Sequence, residues 1–153
     1  MKQTPGNFFY PVTITLTSAL GGIVMAAIIW AGFTNDFSES LVMVLCACIG
    51  AAVGGSASAA LFGRADYKGW GLAAVAAVLA TAIGSAMGGS LYFTLGEPLL
   101  GRVGAAEFSE LPNIALLSMV VVFSMLGTLK VGPPWLLGMV LIHLAAQKLR
   151  APA

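Results

Sequence analysis

Five stretches of this chain contain no Asp, Glu, Lys or Arg, and this spacing of charges constrains the fold more than any other feature. The uncharged stretches are residues 3–35, 40–63, 69–96, 111–129 and 131–147. A helix of about 20 apolar residues spans the hydrocarbon core of a bilayer. The first four stretches are long enough for such a helix and the fifth is marginal. The pattern therefore predicts an all-α integral membrane protein.

The composition agrees with this fold class. Hydrophobic residues make up 59% of the chain and charged residues 8%, whereas soluble domains carry about 25% charged residues. The excess of apolar side chains must face lipid, so we expect a single membrane domain over residues 1–153. The first apolar run is too long for a signal peptide, which predicts a retained span. A net charge of +1 without a basic patch gives no indication of nucleic-acid binding.

Turn and cap residues divide the chain into five predicted helices. Asp36 and Glu39 have the spacing of a capping box, Asp66 is a second cap, and Pro133 and Pro134 interrupt helical structure. The predicted helices cover residues 12–33, 41–62, 70–93, 112–129 and 134–149. We expect a compact Gly/Ala-rich bundle of four transmembrane helices followed by a short C-terminal apolar helix.

The C-terminal apolar helix has two interpretations, a fifth span or a re-entrant helix. Its sixteen residues rise about 24 Å, less than the ~30 Å core, but its hydrophobicity on all sides favours a span. The positive-inside rule favours four spans, because a cytoplasmic N-terminus then leaves only Arg102 outside. Both interpretations stay open. We expect a bacterial inner-membrane protein with a cytoplasmic N-terminus.

A repeated small-residue motif marks the first three predicted helices. The copies read SALGG at residues 18–22, AAVGG at 51–55 and SAMGG at 85–89. Small residues four apart share one helix face and let helix backbones approach closely in lipid. The glycines lie within helical runs rather than after a strand, which argues against a phosphate-binding loop. The predicted helix-packing residues are Ser18, Gly21, Gly22, Gly50, Gly54, Gly55, Ser58, Gly84, Ser85, Gly88 and Gly89. Their unequal depths predict staggered helix crossings rather than a ring.

Hydroxyl side chains within the apolar helices suggest an alternative use of these faces. They could line a narrow polar path, or they could simply bond to carbonyls of the preceding helical turn. The candidate path-lining residues are Thr13, Thr17, Thr81, Ser124 and Thr128.

Residues able to perform chemistry are few. The first four predicted helices contain no acidic or basic side chain. Such a side chain within the membrane is the usual sign of a proton or ion pathway. Cys46 and Cys48 point about 200° apart on a helix, so they cannot share one metal. His143 is a candidate axial ligand for a haem or chlorophyll, or a structural histidine near a helix end. We expect no catalytic site, no metal site and no required cofactor.

Three functional hypotheses follow from the sequence. The first is an accessory or assembly subunit of a larger membrane complex, held to other membrane subunits by its small-residue faces. The second is a small homo-oligomeric transporter or channel with a Ser/Thr/Gly-lined path. The third is a cofactor-bearing subunit with His143 as ligand. In each case the bilayer is a partner.

Overall fold

The computed structural model describes residues 9–33, 36–102 and 106–150, and this part of the chain is helical without strands. Helices account for 86% of it, which confirms the predicted all-α class. The helices are α1 Phe9–Ile28, α2 Phe37–Ser58, α3 Tyr67–Leu91, α4 Glu97–Leu99, α5 Leu111–Leu126 and α6 Gly132–Arg150.

Irregular helical turns extend the first three long helices. A π-helical turn, Ile29–Phe33, follows α1, a 3-10 turn follows α2, and a second π-helical turn, Tyr92–Gly96, joins α3 to α4. With these extensions, Phe9–Gly32, Phe37–Leu61 and Tyr67–Leu99 are long and apolar enough to cross a membrane, and α5 is a shorter apolar helix. The described chain is thus a helical bundle of the membrane type.

Both predicted acidic caps are confirmed. The Asp36 carboxylate accepts a hydrogen bond from the Glu39 backbone N–H at 3.1 Å, and the Asp66 carboxylate accepts one from Gly69 N–H at 2.8 Å. These bonds satisfy donors that the first turns of α2 and α3 leave without an intrahelical partner.

The bundle has two ends, which we name by a residue at each. The His143 end holds the start of α1, the end of α2 and the start of α3, whereas the Arg102 end holds the opposite termini. Helix α2 packs between α1 and α3, α5 packs on α3, and α6 packs on α1.

Helix α6 runs from the Arg102 end to the His143 end. Just before it begins, the Lys130 ammonium lies 5.2 Å from the ring of Trp30, which follows α1. At its other terminus the Arg150 guanidinium lies 4.2 Å from the ring of Phe9 and donates a hydrogen bond to the Ala60 carbonyl at 2.8 Å. Helix α6 is therefore antiparallel to α1 along the full bundle.

The segments before and after α5 both lie at the Arg102 end. Before it, the Ala106 N–H donates to the Phe93 carbonyl at 3.3 Å, and after it Lys130 meets Trp30. The expectation of a full-length fourth helix and a shorter last one is reversed, since α5 has 16 residues and α6 has 19. The two prolines explain part of this difference: they lie in the first turn of α6, where their missing N–H groups have no helical partner to lose.

Along α3 the buried face carries small side chains, and along α2 the outer face carries large ones. The buried face of α3 carries Ala73, Ala76, Ala77 and Ala80. On the outer face of α2, Leu41, Leu45 and Ile49 are more than half exposed. This arrangement suits a hydrocarbon solvent, in which tight helix contact rather than burial of large apolar groups holds helices together.

Candidate functional site: an apolar cavity in the bundle

The first small-residue motif lies where α1 crosses α2. A Cβ placed on Gly21 would lie 2.9 Å from the Ala47 carbonyl oxygen, and one on Gly22 would lie 2.7 Å from the Cys48 sulfur. The Ser18 hydroxyl donates to the Cys48 carbonyl at 2.9 Å. The helix backbones therefore approach too closely here for larger residues.

The second and third motifs lie against each other where α2 crosses α3. A Cβ on Gly54 would lie 2.9 Å from the Gly84 nitrogen, and one on Gly50 would lie 2.6 Å from the Gly88 nitrogen. In the opposite direction, a Cβ on Gly84 would lie 3.2 Å from the Ala51 Cα. The atoms approached are backbone atoms, which cannot rotate away.

The remaining predicted packing residues connect further pairs of helices. Gly55 faces Thr17 on α1, and Gly89 faces Ser118 on α5. Ser58 is fully buried and donates to the Gly54 carbonyl at 2.8 Å. The small-residue faces thus contact helices of this same chain, in a staggered series from α1 to α5.

A cavity of about 230 Å³ lies between α1 and α3. Ala47 and Ala51 of α2 form its floor, and α5 and α6 cover it with Val121, Val122, Trp135 and Met139. All five long helices contribute to the lining. The cavity occurs because α1 and α3 both pack on α2 rather than on each other.

The cavity occupies the half of the bundle nearer the Arg102 end. Its lining comes from residues 17–28 of α1 and 43–51 of α2, together with residues 80–93 of α3 and the turn after it. From α6 only Trp135 and Met139 take part, and both belong to the half of that helix nearer the Arg102 end.

The polar groups of the lining are already engaged within the protein. The hydroxyls of Thr17, Thr81, Ser85 and Ser118 donate to carbonyls of the preceding helical turn at 2.8–3.1 Å. The indole N–H of Trp135 donates to the Thr81 hydroxyl at 2.9 Å. The wall is therefore hydrocarbon almost everywhere, and these donors are not directed at a ligand.

The five candidate path-lining residues do not converge on one route. Thr17 and Thr81 line the cavity, but Thr13 is buried outside it and donates to the Phe9 carbonyl at 2.8 Å. Ser124 and Thr128 are exposed.

His143 joins α6 to the loop between α2 and α3. It is 1% exposed, its Nδ1 accepts a hydrogen bond from Gly63 N–H at 3.1 Å, and its ring lies 4.5 Å from that of Trp70. Its Nε2 lies 3.0 Å from the Gln147 amide nitrogen, which also donates to the Arg64 carbonyl. With both ring nitrogens against protein groups, His143 would have to break one of these contacts to act as an axial ligand.

A polar cluster lies beside the cavity at the Arg102 end. The Tyr92 hydroxyl donates to the Glu39 carboxylate at 3.0 Å, and Arg102 contacts the Glu39 and Asp36 carboxylates at 2.9 and 3.3 Å. The hydrogen bond from Glu39 N–H holds the pKa of Asp36 below its usual range, with a further contribution from Arg102. The hydrogen bond to Glu39 raises the pKa of Arg102. The cluster ties the start of α2 to the end of α3.

The cavity was not predicted from the sequence. Tyr92 and Trp135 gave a partial signal, because each places a polar atom within an apolar run and that atom needs a partner. Within the described residues, no group of three or more His, Cys, Asp or Glu side chains is placed to hold a metal ion. Comparisons with protein-family models, curated proteins and solved structures give no match for this chain.

Proposed function

We propose that this chain is a membrane-embedded binding protein that takes an apolar molecule into the cavity between α1 and α3. The observation that carries the proposal is the cavity itself, about 230 Å³ in volume and lined by five helices with almost no available polar group. Concave, mostly apolar sites of this kind are typical of small-molecule binding.

The chemistry of the lining favours an apolar molecule over an ion. An ion entering the cavity would lose its hydration, a large cost unless charges or oriented dipoles replace the water. The lining Ser and Thr hydroxyls donate to their own helices, the Tyr92 hydroxyl donates to Glu39, and Trp135 donates to Thr81. This supports a binding site for hydrocarbon more strongly than a Ser/Thr-lined channel.

The accessory-subunit hypothesis depended on a surface that this chain uses for contacts between its own helices. Its basis was the series of small-residue faces, and these faces contact other helices of the same chain. The outer surface carries large apolar side chains, such as Leu41 and Leu45 on α2, which suit contact with lipid.

The proposal includes a topology in which α1, α2, α3 and α6 cross the bilayer, while the segments before and after α5 lie on the same side of it. The described loops and termini at the His143 end carry four cations and one carboxylate, whereas those at the Arg102 end carry two cations and five carboxylates. The positive-inside rule then favours a cytoplasmic His143 end, with both chain termini in the cytoplasm.

Two measurements test this topology. A reporter that is active only in the cytoplasm should be active at the C-terminus. A membrane-impermeant thiol reagent added outside intact cells should label Lys130→Cys and leave Lys68→Cys unlabelled, in a chain with Cys46 and Cys48 replaced by alanine. Labelling of Lys68→Cys alone, or an inactive C-terminal reporter, would contradict it.

Filling the cavity tests the binding function. Ser85→Phe places a large side chain in the cavity, and Ser56→Phe is a matched control because Ser56 is exposed on α2 and makes the same type of hydrogen bond three residues back. Native mass spectrometry after mild detergent extraction should show apolar adducts on the wild type and on Ser56→Phe. The adducts should be lost from Ser85→Phe, and their equal retention by both variants would refute the proposal.

A further inference from the structure

We infer that the molecule bound in the cavity is an acyl chain of a zwitterionic phospholipid whose headgroup lies at the Arg102 end. This inference rests on the proposed function and adds the class of ligand and its direction. Its three supports are the depth of the cavity, the way α5 and α6 cover it, and the charge around it.

The depth of the cavity indicates which end of the bundle the headgroup occupies. The lining extends from the middle of the bundle toward the Arg102 end, where Ile28, Tyr92 and Phe93 contribute. An acyl chain begins at the headgroup and ends near the bilayer midplane. A chain whose headgroup lies at the Arg102 end therefore matches the span of the cavity.

The cover of the cavity suggests a sideways entry from the bilayer. Helix α5 has no buried residue, and it contacts α6 little because the two helices diverge from the turn at residues 127–131. The lining residues of α5 and α6 nearest this turn are Val122 and Trp135, and the indole N–H of Trp135 is already bonded to Thr81. Hydrocarbon can thus pass between α5 and α6 without exposing a polar group to lipid.

The charge at the Arg102 end selects among headgroups. Its described carboxylates are Asp36, Glu39, Glu97, Glu107 and Glu110, and its cations are Arg102 and Lys130, which gives a net charge of −3. An anionic headgroup is repelled by this excess of carboxylates, whereas the ammonium group of a zwitterionic headgroup is attracted. A phosphatidylcholine-type or phosphatidylethanolamine-type lipid is therefore favoured over a phosphatidylglycerol-type lipid or a fatty acid.

Fluorescence quenching tests the inference with Trp135 as the reporter in the cavity wall. The protein carries Trp30→Phe and Trp70→Phe and is placed in vesicles of equal parts phosphatidylcholine and phosphatidylglycerol. In one preparation only the phosphatidylcholine has brominated acyl chains, and in the other only the phosphatidylglycerol has them. Surface charge effects amount to fractions of a kcal/mol each. We therefore expect brominated phosphatidylcholine to quench the Trp135 fluorescence about twofold more strongly than brominated phosphatidylglycerol does.

Two pairs of variants make the outcomes distinguishable. Ser85→Phe should reduce quenching by both lipids and Ser56→Phe should not; if Ser85→Phe has no effect, the proposed binding function itself fails. If Ser85→Phe reduces quenching but the two lipids quench equally, or phosphatidylglycerol quenches more, the binding function stands and the headgroup inference is overturned.

Charge reversal tests the position of the headgroup. Glu107→Lys combined with Glu110→Lys changes the net charge of the Arg102 end from −3 to +1, and both side chains are exposed. This variant should shift the preference toward phosphatidylglycerol. Lys68→Glu, at the His143 end, is the control and should leave the preference unchanged. A shift caused only by Lys68→Glu would overturn the assignment to the Arg102 end.

Discussion

The crossing of α2 and α3 gives the most direct test of the packing, through the substitution Gly54→Ala. A Cβ added at Gly54 would lie 2.9 Å from the Gly84 nitrogen and 3.0 Å from the Ala80 carbonyl carbon, and closer still to the Ala80 oxygen. Ordinary contacts of a Cβ lie at 3.4–4 Å. The obstructing atoms are backbone, so the two helices must move apart.

The size of the effect follows from two opposing terms. Overpacking of a tight contact costs about 1–3 kcal/mol, since a gap of about 0.5–1 Å elsewhere along the crossing loses a quarter to a half of the dispersion attraction. Alanine in place of glycine returns up to about 1 kcal/mol of helix propensity. We expect Gly54→Ala to lower the free energy of unfolding by up to about 2 kcal/mol net, and by about 1–3 kcal/mol relative to an alanine at an unobstructed helical glycine.

Gly71→Ala is the matched control, because Gly71 lies in α3 with no atom within 4 Å of an added Cβ. It should be neutral or stabilising by up to about 1 kcal/mol. The measurement is reversible unfolding in mixed micelles of a mild detergent and sodium dodecyl sulfate, followed by circular dichroism. A Gly54→Ala protein as stable as the Gly71→Ala protein would refute the argument that this crossing is held by close backbone contact.

Three further sets of substitutions test individual contacts, the first two by the same unfolding assay and the third by its melting temperature. His143→Phe leaves the Gly63 N–H without its acceptor and should cost about 1–3 kcal/mol, whereas His143→Asn keeps an acceptor near the Nδ1 position and should cost less; equal losses would contradict the role of that hydrogen bond. Trp135→Phe and Thr81→Val should be coupled by about 0.5–1.5 kcal/mol in a double-mutant cycle, and strict additivity would show that their hydrogen bond contributes nothing. Arg102→Gln should lower the melting temperature slightly at low salt and not at 1 M salt, where the Debye length is about 3 Å; a loss independent of salt would exclude an electrostatic cause.

The sequence predicted the helical class because of its uncharged runs, but it did not predict the path of α5. Length and hydropathy are properties of each segment alone, whereas the end of the bundle at which a segment finishes depends on contacts such as Lys130 with Trp30 and Arg150 with Phe9. No pattern within residues 111–129 distinguishes a helix that crosses the bilayer from one whose flanking segments lie at the same end of the bundle. That the segments before and after α5 lie at the same end of the bundle was therefore visible only in the structure.

The cavity was unpredictable for a related reason. The small-residue motifs indicated where helices approach closely. A void forms where helices do not meet, and that depends on how all the helices are arranged in three dimensions. Gly84 and Gly88 illustrate this, because each faces α2 in a tight crossing and also borders the cavity. A sequence pattern specifies which residues are small, but whether the space beside them is filled depends on how α5 and α6 cover it.

The cavity also links binding to stability, which gives a last prediction. A molecule that binds only the folded protein stabilises it by about 2.7 kcal/mol at a free concentration one hundred times its dissociation constant. Removing bound lipid by extended detergent washing should therefore lower the unfolding free energy of the wild type and of Ser56→Phe. In Ser85→Phe the added ring replaces the ligand, so washing should have little effect. If washing destabilises all three proteins equally, the stabilising lipid is bound to the outer surface, and the cavity has no ligand to lose.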